Sequence, residues 1–309
     1  MLALLCPGQG AQSPGMLQPW LEDPQLADRL DHYAEVTELD LRALGTTADA
    51  ETIRDTRVAQ PLIVAASLLS RHALGVSQQP DVTAGHSVGE LAAVAIAGVL
   101  SEEDALRLVR DRGRAMAEAA GARATGMTAV VGGKPEEVEQ TLERRGLVAA
   151  NVNGGGQVVA AGTVEQLQAL ADDPPGRSRV IPLQVAGAFH TEHMAPAVEQ
   201  VRATAAGLRA ADPTVPVLSN ADGAVMRTGV ETLDRLVTQV ANPVRWDLCC
   251  EQLLALGVTA AVELCPGGVL TGLARRTLPG VETVAVKGPE DLAAARDLIS
   301  RHAGTGGAQ

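Results

Sequence analysis

Lysine is almost missing from this 309-residue chain: Lys134 and Lys287 are the only two, so arginine carries nearly all the positive charge. Acidic residues outnumber basic ones, and the formal net charge is -12. That balance lacks the basic surface a general nucleic-acid or anionic-membrane binder needs, so neither is expected as a partner. Cysteine is scarce too. Cys6, Cys249, Cys250 and Cys265 form no C-x-x-C pair, and the adjacent two are poorly placed to bridge each other. They read as reduced, mostly buried thiols of a cytoplasmic protein, with no metal site implied. The N-terminal apolar run Leu2 to Leu5 has no basic flank and stops at Pro7, which matches neither a signal peptide nor a membrane span. Internal repeats and low-complexity tracts are absent as well.

The hydrophobic fraction of 46% is enough for one large domain or two smaller ones. Its most informative stretch is Gly85-His86-Ser87-Val88-Gly89, which follows an apolar strand pattern and precedes the helix-forming run Glu90 to Val94. A G-x-S-x-G sequence in that setting predicts a nucleophile elbow, in which the strand turns sharply into a helix and the serine projects at the apex. The Val88 amide and the helix N-terminus then face the point where a tetrahedral oxyanion would form. Acyl transfer through Ser87 is the chemistry this predicts.

Around the elbow, strands alternate with helices. Leu2 to Cys6 reads as a buried strand ending in the turn Pro7-Gly8-Gln9-Gly10, with helices to about Leu44 and from about Gln60 to Ala73, the latter opening at Pro61. Asp81 to Ala84 is a short strand, a helix runs from the elbow to near Gly98, and Ser101 caps another reaching about Ala119. This pattern predicts a parallel sheet covered on both faces. The middle reads as strand Met127 to Val131, helix Pro135 to Arg145, strands Val148 to Val152 and Gln157 to Ala161, helix Val164 to Ala171 and strand Val180 to Val185. That β-α-β-β-α-β order predicts a ferredoxin-like unit, most simply an inserted small domain. Beyond Gly187 come a helix from Thr191 to Leu208 interrupted at Pro196, strands at Val215 to Leu218 and Ala260 to Leu264, and a helix at Leu233 to Val240. Asn242-Pro243 ends that helix and is a possible start for the next, through Leu256. The tail Gly304 to Gln309 is expected to be disordered.

A serine nucleophile needs a base, oxyanion donors and a means of selecting its acyl group. Among six histidines, His190 follows Ala186-Gly187-Ala188-Phe189, where a loop can return to the elbow; His193 is the nearby rival, and His86 would point to the opposite strand face. Arg112 on the helix after the elbow is either a solvated arginine or a planar guanidinium able to hold a second carboxylate on the acyl group. Arg107, Arg110 and Arg114 read as an exposed face. The turn at Gly8 and Gly10 lacks the ending of a P-loop and the spacing of a dinucleotide fold, which argues against nucleotide binding and leaves a structural turn or a second oxyanion donor at Gln9.

Taken together, Pro7-Gly8-Gln9-Gly10-Ala11-Gln12, Gln60-Pro61, Gly85 to Glu90, Arg112-Gly113 with Met116, Gly126-Met127, Asn151-Val152-Asn153-Gly154, Gly187-Ala188-Phe189-His190, Asn242-Pro243-Val244-Arg245-Trp246 and Pro266 to Leu270 resemble the malonyl-CoA:acyl carrier protein transacylase family. The resemblance implies an α/β fold: a large α/β-hydrolase-like domain from residues 1–125 and 189–309, and an inserted ferredoxin-like domain at 126–188. It implies Ser87 as nucleophile and His190 as base and acid. The amides of Gln9 and Val88 would form the oxyanion hole, and Arg112 would take the malonyl carboxylate. Asn153 would face the cleft, Phe189 would disfavour branched acyl groups, and the backbone carbonyl of Gln239 would orient His190. Malonyl-CoA and a phosphopantetheinylated acyl carrier protein are the implied partners of a monomer, with no cofactor beyond the coenzyme A thioester. Departures from the family pattern stand at Cys6, Ala117, Thr191 and Cys265. Two other readings stay open: a serine esterase or thioesterase using Asp172 as third triad member, and a carrier-binding subunit without activity. Arg275 and Arg276 are a candidate docking patch for an acidic carrier.

Overall fold

The computed structural model describes residues 1–302, so the predicted disordered tail lies outside the described residues. Along the chain the strands are β1 (Leu2–Cys6), β2 (Val82–Gly85), β3 (Thr125–Gly132), β4 (Val148–Gly154), β5 (Gln157–Thr163), β6 (Ser178–Pro182), β7 (Val244–Arg245), β8 (Ala260–Glu263) and β9 (Glu282–Ala285). They make an α/β fold with two sheets.

The first sheet has the order β2-β1-β8-β9 and is parallel throughout, with Leu4 opposite Thr83 on one side and Val262 on the other. Every residue of β1 is buried, which accounts for its unbroken apolar run: Leu2, Leu4 and Cys6 enter one core, Ala3 and Leu5 another. The helices Thr56–Leu74 and Glu102–Gly121 pack together in the first of these cores. The helix expected to open at Pro61 starts earlier, at Thr56, where the Asp55 side chain accepts from the Arg57 amide. Pro61 therefore sits inside the helix and forgoes one backbone bond.

The second sheet has the order β6-β3-β5-β4-β7; β3, β4, β5 and β6 pair antiparallel, and β7 joins parallel to β4. One face is covered by the helices Pro135–Arg144 and Val164–Asp172 through Val130, Val138, Leu142 and Leu170. The other face sends Met127, Ala129, Val159 and Ala161 into the large core. The sheet reaches past residues 126–188, because β7 is supplied by the segment after Asn242-Pro243. The helix thought able to start there begins at Trp246 instead.

Other differences have local causes. The region expected as one helix from Thr191 divides into a 3-10 turn, Glu192–Met194, and the helix Ala195–Ala205, whose first turn holds Pro196. The strand expected over Val215 to Leu218 is reduced to isolated bridges, Thr83 with Val217 and Leu218 with Val225. At the end of β8 the buried Glu263 carboxylate accepts from the amides of Gly268, Leu270 and Thr271 at 2.8, 2.9 and 2.8 Å, which anchors the start of the helix Val269–Thr277 beside the junction of the two sheets. Among the described residues no helix is long and apolar enough to cross a membrane.

Candidate active site

Strand β2 ends at Gly85 and the helix Gly89–Ile96 starts four residues later, so Ser87 must reverse the chain almost by itself. It does so at φ 53, a left-handed conformation rare for a residue with a side chain. The glycines permit the turn: a Cβ on Gly85 would lie 2.1 Å from the Gly89 carbonyl carbon, and one on Gly89 would lie 2.2 Å from the Cys6 carbonyl oxygen. Asn220 staples the two limbs, its Oδ1 accepting from the Ser87 amide and its Nδ2 donating to the Gly85 carbonyl, both at 2.7 Å.

Ser87 Oγ lies 2.7 Å from His190 Nε2, and His190 Nδ1 lies 2.8 Å from the Gln239 backbone carbonyl. A carbonyl only accepts, so Nδ1 carries the proton and the Nε2 lone pair is left for the serine hydroxyl. His190 also has a left-handed backbone, φ 60, and is 3% exposed. Burial, followed by the nearby Arg112 cation, pushes its pKa down to about 3, with the Gln239 carbonyl opposing. His193 is half-buried and does not take part in this contact. Asp172 closes the helix Val164–Asp172 and accepts from Gln168, so the carbonyl of Gln239 occupies the place a triad aspartate would fill.

Arg112 is 1% exposed, which decides between the two readings of its sequence context. Gly113 lets its helix approach Thr56–Leu74 closely: a Cβ there would meet the Thr56 carbonyl oxygen at 2.9 Å. The guanidinium donates from Nη1 to Gln60 Oε1 at 2.6 Å and from Nη2 to Gln239 Oε1 at 2.8 Å, and Nη2 is also 3.5 Å from Ser87 Oγ. These partners are neutral, and Nε has none among the described residues. Burial lowers its pKa to about 10, against the pull of Glu90, and the group stays cationic at neutral pH. By contrast Arg107, Arg110 and Arg114 pair with Asp104, Asp111 and Glu38; Arg107 and Arg114 lie on the exposed face their spacing predicts, whereas Arg110 is half-buried between its two carboxylates.

His86 points away from Ser87, and its Nε2 meets Asn153 Oδ1 at 2.8 Å. Both border a cavity of about 390 Å³ between the two sheets, with Gln9, Leu183, Leu270 and Arg276 on its walls. The amides of Gln9 and Val88 have no hydrogen-bond partner among the described residues. Phe189 is buried and packs into the large core. Three residues of the arrangement were given no role by the sequence: Asn220 stands in none of the family-like segments, while Gln60 and Glu90 stand in the segments Gln60-Pro61 and Gly85 to Glu90 without a function assigned to their side chains.

Residues 3–294 match the acyl transferase domain family. A malonyl CoA-acyl carrier protein transacylase of Mycobacterium tuberculosis is 51% identical over 296 residues, covering 94% of this chain and 98% of the relative. The chain belongs to the malonyl CoA-acyl carrier protein transacylases. It is thus an acyltransferase. Among solved structures, MCAT from Mycobacterium tuberculosis superposes with a TM-score of 0.92 at 50% identity, covering 96% of this chain and 99% of that one. A type II PKS acyl-carrier protein in complex with its malonyl-transacylase gives a TM-score of 0.90 at 31% identity, with 96% and 99% covered.

Proposed function

We propose that this chain moves a malonyl group from malonyl-CoA to the phosphopantetheine thiol of an acyl carrier protein through a malonyl-Ser87 intermediate. The observation that carries the reading is the buried Arg112 guanidinium 3.5 Å from Ser87 Oγ, beside a serine already hydrogen-bonded to a neutral histidine. A cation at that distance has one obvious use: to hold the free carboxylate of a dicarboxylic acyl group once its other carbonyl is bonded to the serine.

His190 Nε2 accepts the Ser87 proton while Oγ attacks the thioester carbonyl carbon. The oxyanion is received by the amides of Gln9 and Val88. The carbon–sulfur bond breaks, coenzyme A leaves with the proton from His190, and the acyl-serine awaits the carrier thiol, which reverses each step. Asn153, tied to His86, lines the cleft through which the pantetheine arm enters. Phe189 backs the acyl pocket and disfavours a branching methyl, a discrimination of about 1–3 kcal/mol. The enzyme works without a cofactor as a cytoplasmic monomer. Its larger part, residues 1–125 and 189–309, is α/β-hydrolase-like, and residues 126–188 form a ferredoxin-like insert, a reading supported by the strand order β6-β3-β5-β4. The carrier approaches over Arg275 and Arg276.

Intact-protein mass spectrometry with peptide mapping tests the function. Brief exposure to malonyl-CoA should add one malonyl group at Ser87, and holo carrier protein should remove it while gaining the same mass. If wild type and Ser87→Ala are equally silent, malonyl transfer is excluded. An esterase would keep its turnover of neutral esters in an Arg112→Ala variant, whereas a malonyl transferase should lose its preference for malonyl over acetyl groups.

A further inference from the structure

The Arg112 guanidinium is fully buried, yet among the described residues no carboxylate lies within ion-pair distance of it. A buried cation held only by neutral acceptors is expensive unless its charge is balanced nearby. The balance lies one residue further out. Gln239 accepts from Arg112 through Oε1 and donates through Nε2 to Glu90 Oε2, so a single carboxamide bridges the cation and the carboxyl. Glu90 is 2% exposed, and its other oxygen accepts from the Asn220 amide. The same Gln239 supplies the carbonyl that orients His190, and Asn220 supplies the oxygen that holds the Ser87 amide. Both Glu90 oxygens therefore face N–H donors, the pattern that suits an ionised carboxylate.

We infer that Glu90, once ionised, is the counter-charge of Arg112, coupled to it through the Gln239 carboxamide, and that it then weakens the grip of Arg112 on the carboxylate of the acyl group. This rests on the malonyl-transfer reading above. A malonyl carboxylate arriving at Arg112 competes with Glu90 for the same positive charge, and a partly compensated cation binds and releases the acyl group more readily than a bare one. Because the same hub positions His190 and the elbow, Glu90 is a positioning residue that acts through Gln239 and Asn220.

Burial pushes the Glu90 carboxyl up to about 8, against the hydrogen bonds from Asn220 and Gln239 and the charges of Arg112 and Arg235. The other titratable or charged groups facing this hub do not change charge near that pH. Arg112 and Arg235 stay cationic, burial holds the Cys249 thiol well above its usual range, and burial keeps His190 and His86 neutral. Glu90 thus gains its charge as pH rises, and Arg112 should then hold a carboxylate less tightly.

The test is the inhibition constant of free malonate against malonyl-CoA in acylation of Ser87, measured at pH 6.5 and pH 9 for the wild type and the Glu90→Gln and Gln239→Leu variants. Glu90→Gln should bind malonate about fivefold tighter than wild type at pH 9, and the wild-type constant should rise with pH more steeply than that of the variant. A role in packing alone would alter thermal stability and turnover without tightening malonate binding. Gln239→Leu leaves the Glu90 charge in place but cuts the bridge, so it too should tighten malonate, and it decides the matter alone if Glu90→Gln does not fold. If folded variants bind malonate no tighter than wild type at pH 9, the counter-charge inference is wrong while the function stands. A wild type that forms no malonyl-serine overturns both.

Discussion

At the scale of single residues, the imidazole of His190 meets two opposed demands. In the proposed mechanism it must stay neutral to accept the Ser87 proton, yet it becomes a cation in the same step, a few ångströms from Arg112. Burial and Arg112 settle the resting state by lowering its pKa to about 3. Since a base works only when unprotonated, lowering its pKa moves the acid limb of the rate profile downward. The kcat/KM for acylation, which reports the free enzyme, should therefore stay flat from about pH 7, below the range in which Glu90 gains its charge, down to about 5, where a histidine of ordinary pKa would already have lost most of its activity. Arg112→Ala removes one of the depressing influences, leaving burial and His86, and should move the acid limb up towards neutrality. A wild-type limb centred near pH 6.5 would contradict the buried neutral histidine. The sequence could single out Ser87, His190 and Arg112 because each stands in a short, ordered motif, and the structure brings the three together. Asn220 stands in no such motif, and Glu90, although it ends the Ser87 motif, showed no role there, because the contact of the two joins chain segments about 130 residues apart at one hydrogen bond. For Gln239 the sequence pointed to its backbone carbonyl, while its side-chain bridge between Arg112 and Glu90 appears only in three dimensions.

At the scale of elements, the strand-to-helix turn at Ser87 and the helix Val269–Thr277 use glycine in opposite ways. Gly89 has no room for a side chain, since a Cβ would meet the Cys6 carbonyl oxygen at 2.2 Å; Gly272, inside the helix, has nothing within 4 Å. Gly89→Ala should destabilise the fold by about 3 kcal/mol and misplace Ser87, whereas Gly272→Ala should stabilise it by about 0.5–1 kcal/mol through helix propensity. Urea midpoints of the two variants check this, and equal midpoints would mean that the elbow relaxes around the added methyl. Elements with strong periodic or capping signals were readable, including the Ser101-capped helix and the β-α-β-β-α-β order. Elements set by tertiary contact were not. The Asp55 cap extends a helix past the Pro61 that looked like its start, β7 is two residues long and exists only because β4 offers an edge, and Val215 to Leu218 has strand composition but finds just one bridging partner on each side.

At the scale of the whole molecule, the net charge of -12 works against an acidic carrier protein, so attraction must come from a local feature within roughly a Debye length of the cleft, about 8–10 Å. Much of the arginine charge is already paired: Arg42, Arg57, Arg202 and Arg301, for example, are neutralised by Asp31, Asp55, Asp234 and Glu282. Arg275 and Arg276 differ. Both are exposed in the last turn of the helix Val269–Thr277, and neither forms an ion pair among the described residues. Arg276 lines the 390 Å³ cavity, and its stem lies against the β4–β5 turn, where a Cβ on Gly155 would touch it at 2.9 Å. Glu263 fixes the start of that helix by accepting hydrogen bonds from three backbone amides, so a buried carboxylate anchors the helix that carries both cations and places Arg276 on the cavity wall. Replacing both arginines with glutamate should raise KM for the carrier about tenfold at low salt, with little change in malonyl-CoA acylation of Ser87, and the difference should shrink as ionic strength screens it. An unchanged carrier KM at low salt would place docking on another face. A parallel loss of acylation would instead assign the two arginines to coenzyme A.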